Sequence, residues 1–195
     1  HGVLKKYYPF EYEYSKDYLL KNGASGSSAD TISDRIYDYI CEIGHPVTKK
    51  ELMQQFPGFS NVMIITPFVN DKRLLQWEYN CYSCSGILDI EQTDINTLKI
   101  ILSGVLNENN GYSSDAMLYK RAKVECPAFL TKNNMTSCMN LYYVASMLFD
   151  ELFDFRRPHI GVRGRFESFS SKEVVLHMMG YPEELSYEKY KEVAN

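Results

Sequence analysis

From residue 30 onward the apolar positions fall into a helical rhythm. Ile32, Ile36, Tyr39, Ile40 and Ile43 recur at spacings of three and four, and Gly44 follows where a C-terminal cap belongs. Pro46 then breaks the chain. Thr48-Lys49-Lys50-Glu51 has the S/T-x-x-E form of a capping box and predicts a short helix with Leu52, Met53 and Phe56 inward, closed by Pro57-Gly58. Ser60 is placed to cap a third segment that starts at Asn61 and runs to about Phe68. The stretches 74–79 and 83–90 read as two strands around a turn.

The same order recurs downstream. Ile95, Leu98, Ile101, Leu102, Val105 and Leu106 mark a helix ending at Asn109-Asn110-Gly111, and Ser113 or Ser114 can cap a second helix running to about Val124. Cys126-Pro127-Ala128-Phe129 stands where Phe56-Pro57-Gly58-Phe59 stood before. A third helix is predicted from about Lys132 to Phe149, buried through Met135, Cys138, Met139, Tyr142, Tyr143 and Phe149, and 153–162 follow as strand and wing. Ser170-Ser171-Lys172-Glu173 opens a further capped helix ended by Gly180, and one more is predicted after Pro182.

Helix, short helix, helix and hairpin, written twice, resembles the winged helix-turn-helix superfamily. The resemblance covers about residues 30–90 and 94–166 and is carried by element order and the paired Phe-Pro-Gly-Phe and Cys-Pro-Ala-Phe turns. The fold class expected is mainly α with small β-hairpins (α+β), arranged as tandem winged-helix-like units. Residues 1–29 are read as an N-terminal arm and flexible linker, 30–92 as the first unit, 93–166 as the second, and 167–195 as a helical extension or the start of a third. Within the arm, Tyr7, Tyr8, Phe10, Tyr12 and Tyr14 partly alternate, as an extended segment would, and Gly23-Ala24-Ser25-Gly26-Ser27-Ser28 is the clearest linker.

Composition narrows the partners. A 195-residue chain with 45% hydrophobic residues, 16 Tyr and 10 Phe can bury a proper core. Its formal charge of -4 means that any nucleic-acid contact has to come from a local patch. Five irregularly spaced cysteines and no apparent secretory signal suit reduced thiols in an intracellular protein, cytoplasmic or nucleoid/nuclear. The start His1-Gly2-Val3-Leu4 lacks an initiator Met and an apolar h-region, as a fragment or processing boundary would. No apolar run reaches the roughly 18 residues of a membrane span, so no membrane association is expected.

The strongest local feature is the run 155–165, with Arg156, Arg157, Arg163 and Arg165 in an otherwise acidic protein. The winged-helix resemblance makes this run the wing, which in DNA-binding members lies along phosphates, and arginine's planar fork suits phosphate. The alternative is a solvated hairpin whose arginines pair with Glu151, Asp154 or Glu167. The resemblance likewise makes the preceding helix the recognition helix. Its polar start, Lys132, Asn133, Asn134, Thr136 and Ser137 with Asn140 a turn later, offers groups that read adenine or meet phosphate, or that simply cap the helix. The matching stretch of the first unit, 61–68, is apolar and suits a core or an interface between units.

Catalysis finds little support. Cys81-Tyr82-Ser83-Cys84 is a single C-x-x-C with no second half of a zinc site, and G-x-x-x-x-G-K-[ST], G-x-G-x-x-G, H-E-x-x-H and G-x-S-x-G are missing. No cofactor, metal or small-molecule ligand is expected, and the chain is not read as an enzyme. The function expected is DNA binding or regulation through the second unit. The alternative is a protein-protein interaction or scaffolding module, meeting a protein partner or forming a homo-oligomer.

Overall fold

The computed structural model describes residues 12–14, 19–21, 31–166, 170, 173 and 174. Tyr7, Tyr8 and Phe10 of the arm, the linker 23–28 and, of the expected C-terminal helices, residues 175–195 lie outside them. Of the N-terminal arm, β1 (Tyr12–Tyr14) and β2 (Leu19–Lys21) form an antiparallel pair.

The first group of elements begins with α1 (Ile32–Ile43). Thr31 and Asp34 form a capping box at its start, and Gly44 at φ 73° closes it by donating its N–H to the Ile40 carbonyl. β3 (Val47–Thr48) leads into α2 (Lys49–Gln55), where Thr48 and Glu51 make the capping box read from the sequence. α3 (Asn61–Ile65), capped by Ser60, runs through the helical Thr66 into α4 (Pro67–Asn70). β4 (Leu74–Glu78) and β5 (Cys81–Cys84) complete a three-stranded antiparallel sheet of order β3-β5-β4, and a 3-10 turn, Ser85–Ile87, follows. The hairpin therefore turns at Tyr79 and Asn80, and the strand expected over 83–90 is Cys81–Cys84 instead. Asn80 adopts φ 55°, a left-handed turn conformation that asparagine tolerates well.

The second group repeats this order. α5 (Gln92–Glu108), β6 (Tyr112–Ser114), α6 (Asp115–Glu125), α7 (Pro127–Lys132) and α8 (Cys138–Phe149) are followed by β7 (Phe153–Arg156) and β8 (His159–Val162), with sheet order β6-β8-β7. In both sheets the first strand pairs with the third and the third with the second. The molecule is thus mainly α with small antiparallel β elements, compatible with a winged-helix-like architecture. None of the helices among the described residues is long and apolar enough to cross a membrane.

The expected third helix of the second group, starting at Lys132, is corrected. α7 ends at Lys132, Asn134 turns the chain at φ 52°, and α8 starts only after Ser137, whose side chain caps the Asn140 N–H. A left-handed residue cannot continue a right-handed helix, so the polar run lies in a turn between two helices.

The two groups have separate cores that meet at one sheet. In β4 and β5 successive side chains face opposite ways. Leu74, Tyr82 and Cys84 enter a cluster with Ile36, Ile40, Leu52, Ile64 and Phe68 of the first group. Leu75 and Trp77 enter the cluster of the second, with Leu102, Leu118, Leu141 and Val144, and Cys81 packs against it. Each fully buried aliphatic side chain contributes about 2 kcal/mol by leaving water. The first sheet is therefore a layer between two cores, with α8 lying on its second face.

Candidate functional site

α8, which holds most of the segment expected to be a recognition helix, is buried or half-buried at every residue. Asn140 is 0% exposed. Its Nδ2 donates to the Trp77 carbonyl at 2.5 Å, and its Oδ1 accepts the N–H groups of Thr136 and Ser137 at 2.9 and 2.8 Å. Tyr143 adds a bond from its hydroxyl to Gln76 Oε1 at 3.0 Å. One face of α8 thus reads the edge of β4, and Asn140 both caps its own helix and joins the groups.

Asn133, 6% exposed, repeats this at the end of α7. It accepts the Asp89 N–H at 2.7 Å and donates to the Asp89 carbonyl at 3.0 Å and the Phe129 carbonyl at 3.1 Å. This holds the segment entering α5 as a neighbouring strand would. Lys132 pairs with Asp94 at 2.8 Å and Asp89 at 3.5 Å, which holds the Asp94 carboxyl below its ordinary range. Asn134 and Thr136 stay exposed on the turn, and Ser137 is the cap of α8. Of the six polar residues read together from the sequence, two are spent inside the fold, one on capping and one on ion pairs.

The four arginines separate as well. Antiparallel pairing sets Arg156 opposite His159 at the hairpin tip and Phe153 opposite Val162 at its base. Arg156 and Arg157 flank the tip, which is pinned to the start of α6. The Asp115 N–H donates to the Pro158 carbonyl at 2.8 Å, and the Asp115 carboxylate lies 3.4 Å from Arg157 Nε. The Arg156 side chain is exposed and makes no hydrogen bond or ion pair among the described residues. Arg163 and Arg165 follow β8 at the opposite end. The Arg163 guanidinium donates to the Asp150 carbonyl, and the Arg165 stem lies over Gly111. Two ends of a hairpin replace the single basic stripe that the spacing suggested.

Other titratable groups are turned inward. Burial pushes up the hydroxyl of Tyr112, which meets His159 Nδ1 at 3.1 Å. Burial, then the charge of Asp115, push up the Cys138 thiol. Cys81 and Cys84 do not face each other, because residues three apart on a strand point to opposite sides. Among the described residues no group of three or more His, Cys, Asp or Glu could hold a metal ion.

An exposed apolar feature lies in the first group. Along α3 and α4, Ile64, Pro67 and Phe68 are buried, while Val62 (72% exposed), Met63 (45%) and Val69 (81%) face solvent. Thr66 sits between them with its hydroxyl on the Val62 carbonyl at 2.7 Å. The stretch expected to serve a core or an interface does the first with one face only. Sequence reasoning missed Trp77, Gln76 and Tyr143 as the residues joining the groups. The signal was present in Leu74-Leu75-Gln76-Trp77, where apolar residues occupy both parities, as in a strand buried on both faces.

Compared with known proteins, the chain matches no family model, no curated protein and no solved structure.

Proposed function

We propose that this chain is a tandem winged-helix protein that works as a protein-interaction module, with the outer face of α3 and α4 as its docking surface. The observation that carries this is the outer face of α3 and α4, where Val62, Met63 and Val69 are exposed although no charged residue stands among them. Exposed apolar side chains gathered on one face gain by being covered. Val62, Met63 and Val69 lie at helical spacings with the uncharged Asn61, Thr66 and Asn70 around them, which suits an apolar, uncharged patch of a protein partner. A phosphate backbone asks for the opposite chemistry.

The loss of α8 to the inter-group packing supports the same reading, since a helix with no exposed residue reads no groove. DNA binding keeps one specific support, the exposed Arg156 and Arg157 at the hairpin tip, and on this second reading they contact phosphate without reading sequence.

One experiment separates the two. A photo-crosslinking residue placed at Met63, and in a second protein at Arg156, is activated in cells of the chain's native source. The interaction reading expects protease-sensitive adducts from position 63 that vanish in a Val62→Glu/Val69→Glu background, and no nuclease-sensitive adduct from position 156. Nuclease-sensitive adducts at 156, together with DNA binding whose affinity falls with salt by a log-log slope near -0.9 per phosphate, would establish the second reading in its place.

A further inference from the structure

In the first core the thiols of Cys41 on α1 and Cys84 on β5 meet, with their Sγ atoms 3.5 Å apart. We propose that these two residues are an oxidisable pair that closes to an intramolecular disulfide tying α1 to β5, a modification site within the first group.

Three features of the site support it. The contact is long-range, 43 residues apart in the chain, and sits between two regular elements that hold both ends. Closing it needs the sulfurs to approach by about 1.5 Å, since a disulfide bond is roughly 2.05 Å long. Gly86 seals the site from one side: a Cβ there would stand 2.5 Å from Cys41 Sγ and 2.6 Å from the Tyr37 hydroxyl. The glycine lets the 3-10 turn press its backbone against the pair. Finally, the two thiols differ in access, Cys84 being 0% exposed and Cys41 half-buried.

That difference orders the chemistry. The Cys41 thiolate attacks a small-molecule disulfide such as glutathione disulfide, forms a mixed disulfide and expels one small thiolate. Cys84 then loses its proton and attacks Cys41 Sγ, which breaks the mixed disulfide and expels the second thiolate. Two electrons pass from the protein to the small disulfide, and the two protons lost by the cysteines go to the two released thiols. Burial, and the neighbouring Cys41 thiol, push the Cys84 thiol up to about 12. It therefore stays inert until the mixed disulfide is formed beside it. The partner is not Cys81, which packs against the other core from the opposite face of β5.

The test uses the full chain, equilibrated in reduced or oxidised glutathione and then alkylated. Oxidation is expected to remove two of the five thiols. Peptide mapping should find residues 41 and 84 linked, with Cys81, Cys126 and Cys138 alkylated. The linkage should raise Tm by roughly 5 °C or more and be reversed by dithiothreitol. Cys41→Ser should show no oxidation-dependent change in Tm, and Gly86→Ala, which keeps both thiols but crowds them, should lose the cross-link. Mapping on the unsubstituted chain decides the matter even where a variant folds poorly. Recovery of Cys84 alkylated, of Cys41 held as a glutathione adduct, or of a Cys81–Cys84 bridge would each overturn the proposal.

Discussion

Asn140 shows how one side chain can be legible as polar and helical yet take a role that only the tertiary structure reveals. An asparagine near the start of a helix has the right groups for an adenine edge, but also for a helix cap and for a strand carbonyl. Here the last two engage both ends of its amide, Oδ1 through Thr136 and Ser137 and Nδ2 through Trp77. Truncation to Ala would leave the buried Trp77 carbonyl and the part-buried N–H groups of Thr136 and Ser137 without this partner, and each such group costs on the order of 1 kcal/mol. Asn140→Ala is therefore expected to lower stability by about 3 kcal/mol, measured as a shift in the urea midpoint. Arg156→Ala, which removes an exposed side chain with no bond among the described residues, should stay within about 0.5 kcal/mol. Equal losses in the two variants would show that the Asn140 bonds contribute little beyond the packing around them.

At the scale of elements, an ion-pair bridge ties the start of α1 to the start of β4. Arg73 reaches both Asp34 and Asp71 at 2.7 Å. Its hydrogen bonds hold both carboxyls below their ordinary range, and the capping box of Thr31 helps for Asp34. A carboxylate whose folded pKa is depressed stabilises the fold above its unfolded pKa, near 4, and that contribution is lost as pH falls toward the folded value. Arg73 is 47% exposed, so after solvent screening the bridge contributes about 1 kcal/mol. Asp34→Asn/Asp71→Asn is expected to lower the urea midpoint at pH 7 and to lose less than the parent between pH 5 and pH 3; parallel pH profiles would refute the bridge. Elements of this kind were partly legible. The Thr48 to Glu51 box, the Gly44 cap and the Ser60 cap follow from backbone donors that must be satisfied at helix ends, a local rule. β3 and β6 were not legible, because two or three residues before a helix cap are too few to display an alternating pattern. α8 was extended too far because the left-handed turn at Asn134 carries no glycine or proline to mark it.

The relation between the two groups is the part the periodic patterns could not convey, since a helical stripe names a buried face but not its partner. β4 supplies that partner, turning Leu74 into one core and Leu75 and Trp77 into the other. Trp77, the chain's single tryptophan, is 6% exposed at the junction with α8, so its fluorescence reports on the junction itself. Two cores that share a sheet should melt together. Urea unfolding followed by Trp77 emission is expected to coincide with unfolding followed by far-ultraviolet circular dichroism, in one transition. Leu75→Ala, which opens a cavity on the α8 side of the sheet, removes about 2–4 kcal/mol from that junction. In that variant the fluorescence transition should move to lower urea, ahead of the part of the helical signal that comes from the first group. Two separate transitions in the unsubstituted chain, with Trp77 already exposed in the earlier one, would mean that the groups fold independently. The outer face of α3 and α4 would then be one exposed apolar surface among several opened by separation of the groups, whereas a single transition leaves it exposed on a molecule whose junction stays closed.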